Sequence, residues 1–181
     1  MAVPEPFTGV TSSSPVRHHI LSVLVENKAG VLARIAGLFA RRGFNIYSLA
    51  VAPADDSQRF SRITIVVDAE SAPLDQIRGQ LNKLINVVEI NDLAPREALE
   101  RELLLATVEV DDETRQAVLD AVAQANAAIV DVNDTSVTLM LAGTPAACDA
   151  LERQLEAFAQ IELHRTGRVA LPRLSSEPTR N

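Results

Sequence analysis

The order of predicted secondary-structure elements occurs twice along this chain. Two halves of roughly 75 residues each show the order strand, helix, strand, strand, helix, strand. Such a βαββαβ unit folds most simply as a four-stranded antiparallel sheet with both helices on one face, because crossover connections are right-handed. The repeat therefore predicts an α+β protein with two ferredoxin-like βαββαβ domains, each with one sheet face left uncovered by helices.

The two domains are expected at residues 18–93 and 103–174. The charged segment 94–102 between them, APREALERE, is predicted to be a linker. Residues 1–17 contain three prolines and a serine-rich run without apolar periodicity, and residues 175–181 have a similar composition. We expect a disordered leader and a disordered tail in these two segments.

The first half contains a strongly patterned helix. Its apolar residues recur with the 3.6-residue period between about Gly30 and Arg42. Gly43 suits the left-handed conformation that ends a helix, and Phe44 supplies the hydrophobic contact behind it. A second helix is predicted to have Pro73 in its first turn. Strands are expected at about 18–26, 45–52, 59–68 and 87–93.

The second half repeats these signals more weakly. Asp112 is predicted to cap its first helix, and Thr144 followed by Pro145 to begin its second. A single closing strand is expected at about 161–171. The other strands are expected at about 103–110, 129–132 and 136–142.

Charge and composition argue against several classes of function. The net charge of −7 and the dispersed basic residues argue against nucleic-acid binding. No apolar run is long enough for a membrane span or a signal peptide, so we expect a cytoplasmic protein. We expect no metal site and no catalytic residue, because Cys148 is the single cysteine and His18, His19 and His164 lack a metal-ligand spacing.

The junction between the first strand and the first helix is a candidate anion site. Gly30 lies at this junction, where it allows a ligand to approach the backbone, and the amides of Val31 and Leu32 follow it. Unpaired amides at a helix N-terminus favour an anion such as a carboxylate. Asn27 and Asn45, expected near the same end of the sheet, offer uncharged polar groups to an ammonium or carboxylate.

The same residues also have a purely structural interpretation. Asn27 can cap the helix, Gly30 can be a turn residue and Asn45 can begin a strand. Arg34, on the first helix, is expected to have a structural role rather than to orient a ligand. Asp55 and Asp56 are expected to belong to a solvated hairpin turn. Spacing alone leaves both interpretations of the junction open.

A close family resemblance lies in the run HHILSVLVENKAGVLARIAGLFARRGFNIYSLAVAPADDSQRFSRITIVVD. Within it, Asn27-x-x-Gly30-x-Leu32 is the general ACT-domain pattern, and Arg42-Gly-Phe-Asn-Ile46 is a narrower signature. The run resembles the amino-terminal ACT domain of acetohydroxyacid synthase (acetolactate synthase) regulatory small subunits. The second half, including VTLMLAGT and RTGRVALPR, resembles the carboxy-terminal domain of that family.

The resemblance implies a regulatory function in branched-chain amino acid biosynthesis. It implies a homodimer through the ACT domains and a feedback effector, valine before leucine or isoleucine, bound where Asn27, Gly30, Val31, Leu32, Asn45 and Ile46 fall. The partner it implies is the catalytic large subunit, which carries thiamine diphosphate, Mg²⁺ and usually FAD, with no cofactor on this chain. Ala33 stands where some members have serine, which removes a hydroxyl near the expected site.

Two other functions share this topology. Acylphosphatases use an arginine in the loop between the first strand and helix, but the segment Asn27-Lys-Ala-Gly30 contains none. A free-standing ACT-type regulator of transcription or of another enzyme is the second alternative. The net negative charge argues against the transcriptional variant.

Overall fold

The first half of the chain folds as one antiparallel sheet covered by two helices. The structure is a computed structural model, and it describes residues 18–68, 73–94, 97–158 and 160–174. The predicted leader and tail lie outside these residues. The strand order of the first sheet is β2-β3-β1-β4. Its elements are β1 (His18–Glu26), α1 (Val31–Arg42), β2 (Ile46–Pro53), β3 (Phe60–Asp68), α2 (Leu74–Leu81) and β4 (Val87–Leu93).

The first core lies between this sheet and its two helices. Ile35 and Phe39 of α1 and Ile77 of α2 are fully buried against the inward-facing residues of β1 and β3. Gly43 ends α1 in the left-handed conformation, with its N–H donating to the carbonyl of Ala40 and the N–H of Phe44 donating to that of Phe39. The patterned helix and its glycine cap are therefore as predicted.

The second half repeats this arrangement and adds one strand. The strand order of its sheet is β6-β7-β5-β8, and β9 pairs with β5 outside that order. Leu104, Leu139 and Leu151 are among the fully buried residues of its core. The elements are β5 (Ala98–Glu109), α3 (Arg115–Gln124), β6 (Ala128–Val132), β7 (Ser136–Gly143), α4 (Pro145–Leu155), β8 (Ile161–Arg165) and β9 (Val169–Pro172). The predicted α+β class with two βαββαβ units is confirmed.

The helix caps of the second half differ from the prediction at one position. Thr144 caps α4 as predicted, since its hydroxyl accepts from the N–H of Ala147 at 3.2 Å. The predicted cap Asp112 is wrong. Among the described residues no side chain caps α3, and Asp111 instead stabilises the turn before it, because its carboxylate accepts from the backbone N–H groups of Glu113 at 3.1 Å and Thr114 at 2.8 Å.

The expected linker 94–102 is largely a strand. From Ala98 onward these residues belong to β5, whose first part pairs with β9 and whose second part lies between β7 and β8. The charges that suggested a linker are neutralised within the chain. Glu100 pairs with Arg168 at 3.3 Å, and Glu102 pairs with Arg165 at 2.7 Å.

The expected single strand 161–171 is two strands. Gly167 lies between β8 and β9 with φ +79°, a left-handed conformation that an extended strand does not contain. The turn sends β9 away from the second sheet and onto the outer face of the first. This face was expected to be open, but the ribbon formed by β9 and the start of β5 covers part of it.

The contact between the two domains combines apolar and polar groups. Ala98 and Ala170 of the ribbon pack with Ile20, Val66 and Leu93 in a small buried cluster. The hydroxyl of Ser48 in β2 accepts from the backbone N–H of Arg168 at 2.8 Å. The Arg168 guanidinium lies 5.0 Å from the ring centroid of Tyr47. The two domains therefore contact each other through specific side chains.

His18 is expected to make this fold less stable below neutral pH. Burial, followed by the charge of Arg168, lowers the pKa of His18 from 6.5. Near pH 6.5 the unfolded chain therefore binds a proton that the folded chain does not yet bind, so stability falls as the pH decreases through this range. Urea unfolding at about pH 7.5 and about pH 5.5 should show a smaller loss for His18→Gln than for the wild type. An equal loss in both proteins would contradict this assignment.

Helices α1 to α4 are short, with 8 to 12 residues each. None of those in the described ranges is long and apolar enough to cross a bilayer.

Candidate functional site

The N-terminus of α1 has open backbone donors. Gly30 precedes the helix with φ +84°, and no side chain caps it. Within the described residues, the N–H groups of Leu32 and Ala33 have no hydrogen-bond acceptor, and the first turn of α1 has no acidic residue. The N–H of Val31 differs from the expectation, because it donates to the carbonyl of Lys28 at 3.2 Å. The open pair is therefore Leu32 and Ala33.

Asn27 stands at the same junction with a fixed orientation. Its side-chain amide donates to the carbonyl of Gln58 at 2.8 Å, and its backbone N–H donates to the carbonyl of Arg59 at 2.8 Å. These bonds tie Asn27 to the turn between β2 and β3. Within the described residues no donor binds the side-chain oxygen of Asn27, so this oxygen can accept a hydrogen bond.

The turn that holds Asn27 is itself ordered by a carboxylate. Asp55 accepts from the backbone N–H of Phe60 at 3.0 Å and from the hydroxyl of Ser57. These hydrogen bonds, that of Ser57 first, lower the pKa of Asp55. Asp55 therefore stabilises the hairpin turn, which agrees with the structural role expected of it.

Arg34 belongs to a network on the other side of the junction. Its guanidinium donates to the side-chain oxygen of Asn86 at 2.7 Å, and the amide of Asn86 donates to Glu26 at 2.6 Å. The hydrogen bonds from Asn86 and then Lys28 lower the pKa of Glu26. Arg34 thus joins α1 to the segment before β4 and keeps the entry to the helix in place, a structural role.

Asn45 and Ile46 lie at the opposite end of the sheet from Asn27, contrary to the expectation. Ile46 pairs with Val67, whereas Glu26 pairs with Phe60 at the other end of β3. Seven residues along β3 separate these positions, about 23 Å at 3.3 Å per residue. The reason is that α1 returns the chain to the end of the sheet where β1 begins. One copy of the chain therefore brings together Asn27, Gly30, Val31 and Leu32 only.

The equivalent junction of the second half is occupied by the protein itself. The Asp111 carboxylate lies in the turn directly before α3, where hydrogen bonds from Thr114 and Glu113 lower its pKa. A carboxylate ligand would meet a like charge close to the start of α3. Of the two repeated junctions, the first is the one suited to bind an anion.

Cys148, His18 and His164 make contacts of a structural kind. Cys148 is buried in the second core, and burial raises the pKa of its thiol. His18 packs against Tyr47 with ring centroids 4.1 Å apart and ring planes tilted by 46°, and His164 lies 3.2 Å from Glu162. Within the described ranges no three His, Cys, Asp or Glu side chains are grouped as potential metal ligands.

Sequence reasoning missed two arginines of the second half that bind residues distant in the sequence. Arg165 binds Glu102, Asp149 and Glu152, and Arg168 contacts Glu100 and Tyr47. The local sequence offers little signal for the two acids, because Arg101 lies between Glu100 and Glu102 and all three residues are charged. Their partners lie more than 60 residues away, so spacing could not identify them.

The fold and the open junction define a class of regulatory domain, the ACT domain, joined to a second ferredoxin-like domain. Residues 21–89 match the family model described as an AHAS small subunit-like ACT domain, and residues 101–174 match that of the small subunit of acetolactate synthase. The chain belongs to the acetolactate synthase small-subunit family.

Individual relatives agree with this assignment. The chain is 48% identical over 155 residues to the acetolactate synthase small subunit of Mycolicibacterium smegmatis, covering 86% of this chain and 91% of that protein. It is 42% identical to the chloroplastic acetolactate synthase small subunit 2 of Arabidopsis thaliana, covering 90% of this chain and 34% of that longer protein. The crystal structure of the acetolactate synthase small subunit from Thermotoga maritima matches with a TM-score of 0.80 at 34% identity, covering 88% of this chain and 99% of that one.

Proposed function

We propose that this chain is a regulatory subunit that binds a branched-chain amino acid, valine first, and makes a catalytic acetolactate synthase subunit sensitive to it. The open N–H groups of Leu32 and Ala33 behind the left-handed Gly30 carry this proposal. A helix N-terminus with free donors favours a carboxylate by about 0.3–1 kcal/mol from the dipole alone. Each hydrogen bond to the charged group adds about 1.5–3 kcal/mol.

The ligand's two charged groups have separate partners in this proposal. The carboxylate accepts from Leu32 and Ala33, and the ammonium donates to the side-chain oxygen of Asn27, whose amide is held by Gln58. After association costs, two or three such contacts correspond to a dissociation constant on the order of 1–100 µM. Val31 contributes packing rather than a donor, because it is buried in the core.

A homodimer formed through β2 completes the site in this proposal. β2 (IYSLAVAP) is uncharged, whereas the other strands at the ends of the two sheet orders carry charges: Glu89 and Asp92 in β4, Asp131 in β6, and Glu162 and Arg165 in β8. Charged residues keep sheet edges from pairing, so β2 is the edge suited to a second copy.

Antiparallel pairing of two β2 strands also explains the separation of Asn45 from Asn27. Pairing centred between Leu49 and Ala50 places Ile46 of one copy opposite Pro53 of the other. Pro53 pairs with Ser61, at the end of the sheet that carries Asn27. Asn45 and Ile46 of one copy then complete the pocket around Asn27 and Gly30 of the other.

The catalytic large subunit is the proposed partner, and the cytoplasm the proposed location. Thiamine diphosphate, Mg²⁺ and FAD belong to that partner, and this chain supplies no catalytic group. It raises the partner's activity by holding a productive conformation, and the bound amino acid weakens that effect. A ligand shifts such an equilibrium only through its different affinity for the two states. A coupling free energy of about 1–3 kcal/mol is ordinary for such regulation.

Gly30→Asp tests this site. The new carboxylate occupies the position of the ligand's carboxylate, and no atom lies within 4 Å of the Cβ it adds. Titration calorimetry with valine, leucine and isoleucine should show about tenfold to hundredfold weaker binding. The holoenzyme reconstituted with the catalytic subunit should remain activated but lose feedback inhibition.

Gly30→Asn is the matched control. Asparagine and aspartate both tolerate the left-handed conformation, so this variant has similar backbone strain without the added charge. It should keep most of the binding. Full sensitivity of Gly30→Asp to all three amino acids would refute the site, and an equal loss in both variants would assign the effect to backbone strain.

A further inference from the structure

A groove lies between the two domains, on the side of the first sheet away from its helices. Its volume is about 490 Å³. The first sheet contributes the end of β2 together with Arg62 and Thr64 of β3, and the ribbon contributes Leu99, Arg101 and residues 169–171. The volume falls within the range of small-molecule pockets, about 300–1,000 Å³.

The walls of the groove are mainly apolar and leave space for a small ligand. Ala50 and Ala52 pair with Thr64 and Arg62, so two of the smallest side chains stand beside the polar ones. On the opposite side, Val169 is 52% exposed and Leu171 is 64% exposed. These apolar groups would lose contact with water if a branched aliphatic chain filled the groove.

The groove also contains two guanidinium groups without a carboxylate. Arg62 donates to the hydroxyl of Ser22 at 3.0 Å, and Arg101 donates to the carbonyl of Glu100 at 2.7 Å. Neither forms an ion pair within the described ranges, in a chain where acidic residues outnumber basic ones by 24 to 17. Their remaining N–H groups can bind a carboxylate.

We infer that the groove between the domains is a second ligand site, which binds a small apolar carboxylate through Arg62 and Arg101. The aliphatic part of the ligand lies against Ala50, Ala52 and the ribbon residues Val169 and Leu171. The bound molecule contacts both domains and holds the ribbon against the first sheet. This site is distinct from the N-terminus of α1, and the inference does not depend on the proposed effector.

Calorimetric titration of the full chain with 3-methylbutanoate tests the inference. This probe has a branched aliphatic group and a carboxylate but no ammonium group. Arg62→Gln and Arg101→Gln should each weaken its binding about tenfold or more, because each removes a charge-assisted contact. Arg78→Gln changes the net charge equally on an exposed position of α2, and it should leave binding unchanged.

Ala52→Leu supplies an independent test without a charge change. The larger side chain fills part of the groove and should weaken binding of 3-methylbutanoate, while Gly30→Asp should not. Two outcomes would overturn the inference. One is no measurable binding to the wild-type chain, and the other is binding lost in Gly30→Asp but kept in the arginine variants.

Discussion

Replacement of Arg165 by methionine is expected to lower the free energy of unfolding by about 3 kcal/mol. Its guanidinium makes four hydrogen bonds of 2.7–3.0 Å, two to Glu102 and one each to Asp149 and Glu152. Burial alone would lower the pKa of Arg165, but the hydrogen bonds to Glu102 and Asp149 outweigh it and raise the pKa above its usual range. Without Arg165, the carboxylate of Glu102, whose side chain is 6% exposed, is left without its cation.

Urea unfolding at neutral pH measures this effect, and the thermal midpoint should fall by about 6–12 °C. Arg153→Met, on the exposed side of α4, is the matched control and should change stability by less than about 0.5 kcal/mol. Adding Glu102→Leu to Arg165→Met should recover part of the lost free energy of unfolding, because an apolar side chain then replaces the unpaired, buried carboxylate. A loss below about 1 kcal/mol in Arg165→Met would contradict the role given to this cluster.

Gly167→Ala is expected to cost about 2–3 kcal/mol and to loosen the contact between the domains. The left-handed conformation, φ +79°, is unfavourable for alanine by about 1–2 kcal/mol. The added Cβ would also lie 2.6 Å from the Ser48 hydroxyl oxygen. This oxygen must move, and the hydrogen bond it accepts from Arg168 weakens.

Two further variants separate the effect of backbone strain at Gly167 from the effect of its contact with Ser48. Gly79→Ala, inside α2 with no atom within 4 Å of the new Cβ, should stabilise the chain by about 0.5–1 kcal/mol. Ser48→Ala removes the atom that the new Cβ meets, so the double variant should be more stable than the sum of the two single effects indicates. Strict additivity would show that Gly167 and Ser48 act independently, which would contradict a direct contact between the new Cβ and the Ser48 hydroxyl.

Local patterns in the sequence predicted most of the fold. The helix α1 and its glycine cap follow from periodicity and from Gly43, and α4 from Thr144 and Pro145. The errors occur where distant residues decide the structure. Ala98–Glu102 has the composition of a linker, but Arg165 and Arg168 neutralise its acids and β9 pairs with its backbone.

The candidate site was predictable in part for the same reason. Asn27, Gly30 and Leu32 lie on one short segment, so their proximity follows from the sequence alone. The position of Asn45 depends on the length and direction of α1, which places it at the other end of the sheet. Which backbone donors remain open depends on the turn at Lys28, and spacing does not reveal that turn.

The continuity of β5 has a mechanical consequence. Its 12 residues span roughly 40 Å at 3.3 Å per residue, and the same strand belongs to the ribbon at one end and to the middle of the second sheet at the other. A hydrogen-bonded strand is stiff, so β5 transmits a change of orientation from one end to the other, which a flexible linker would not do. A tilt of the ribbon on the first domain would therefore swing the whole second domain.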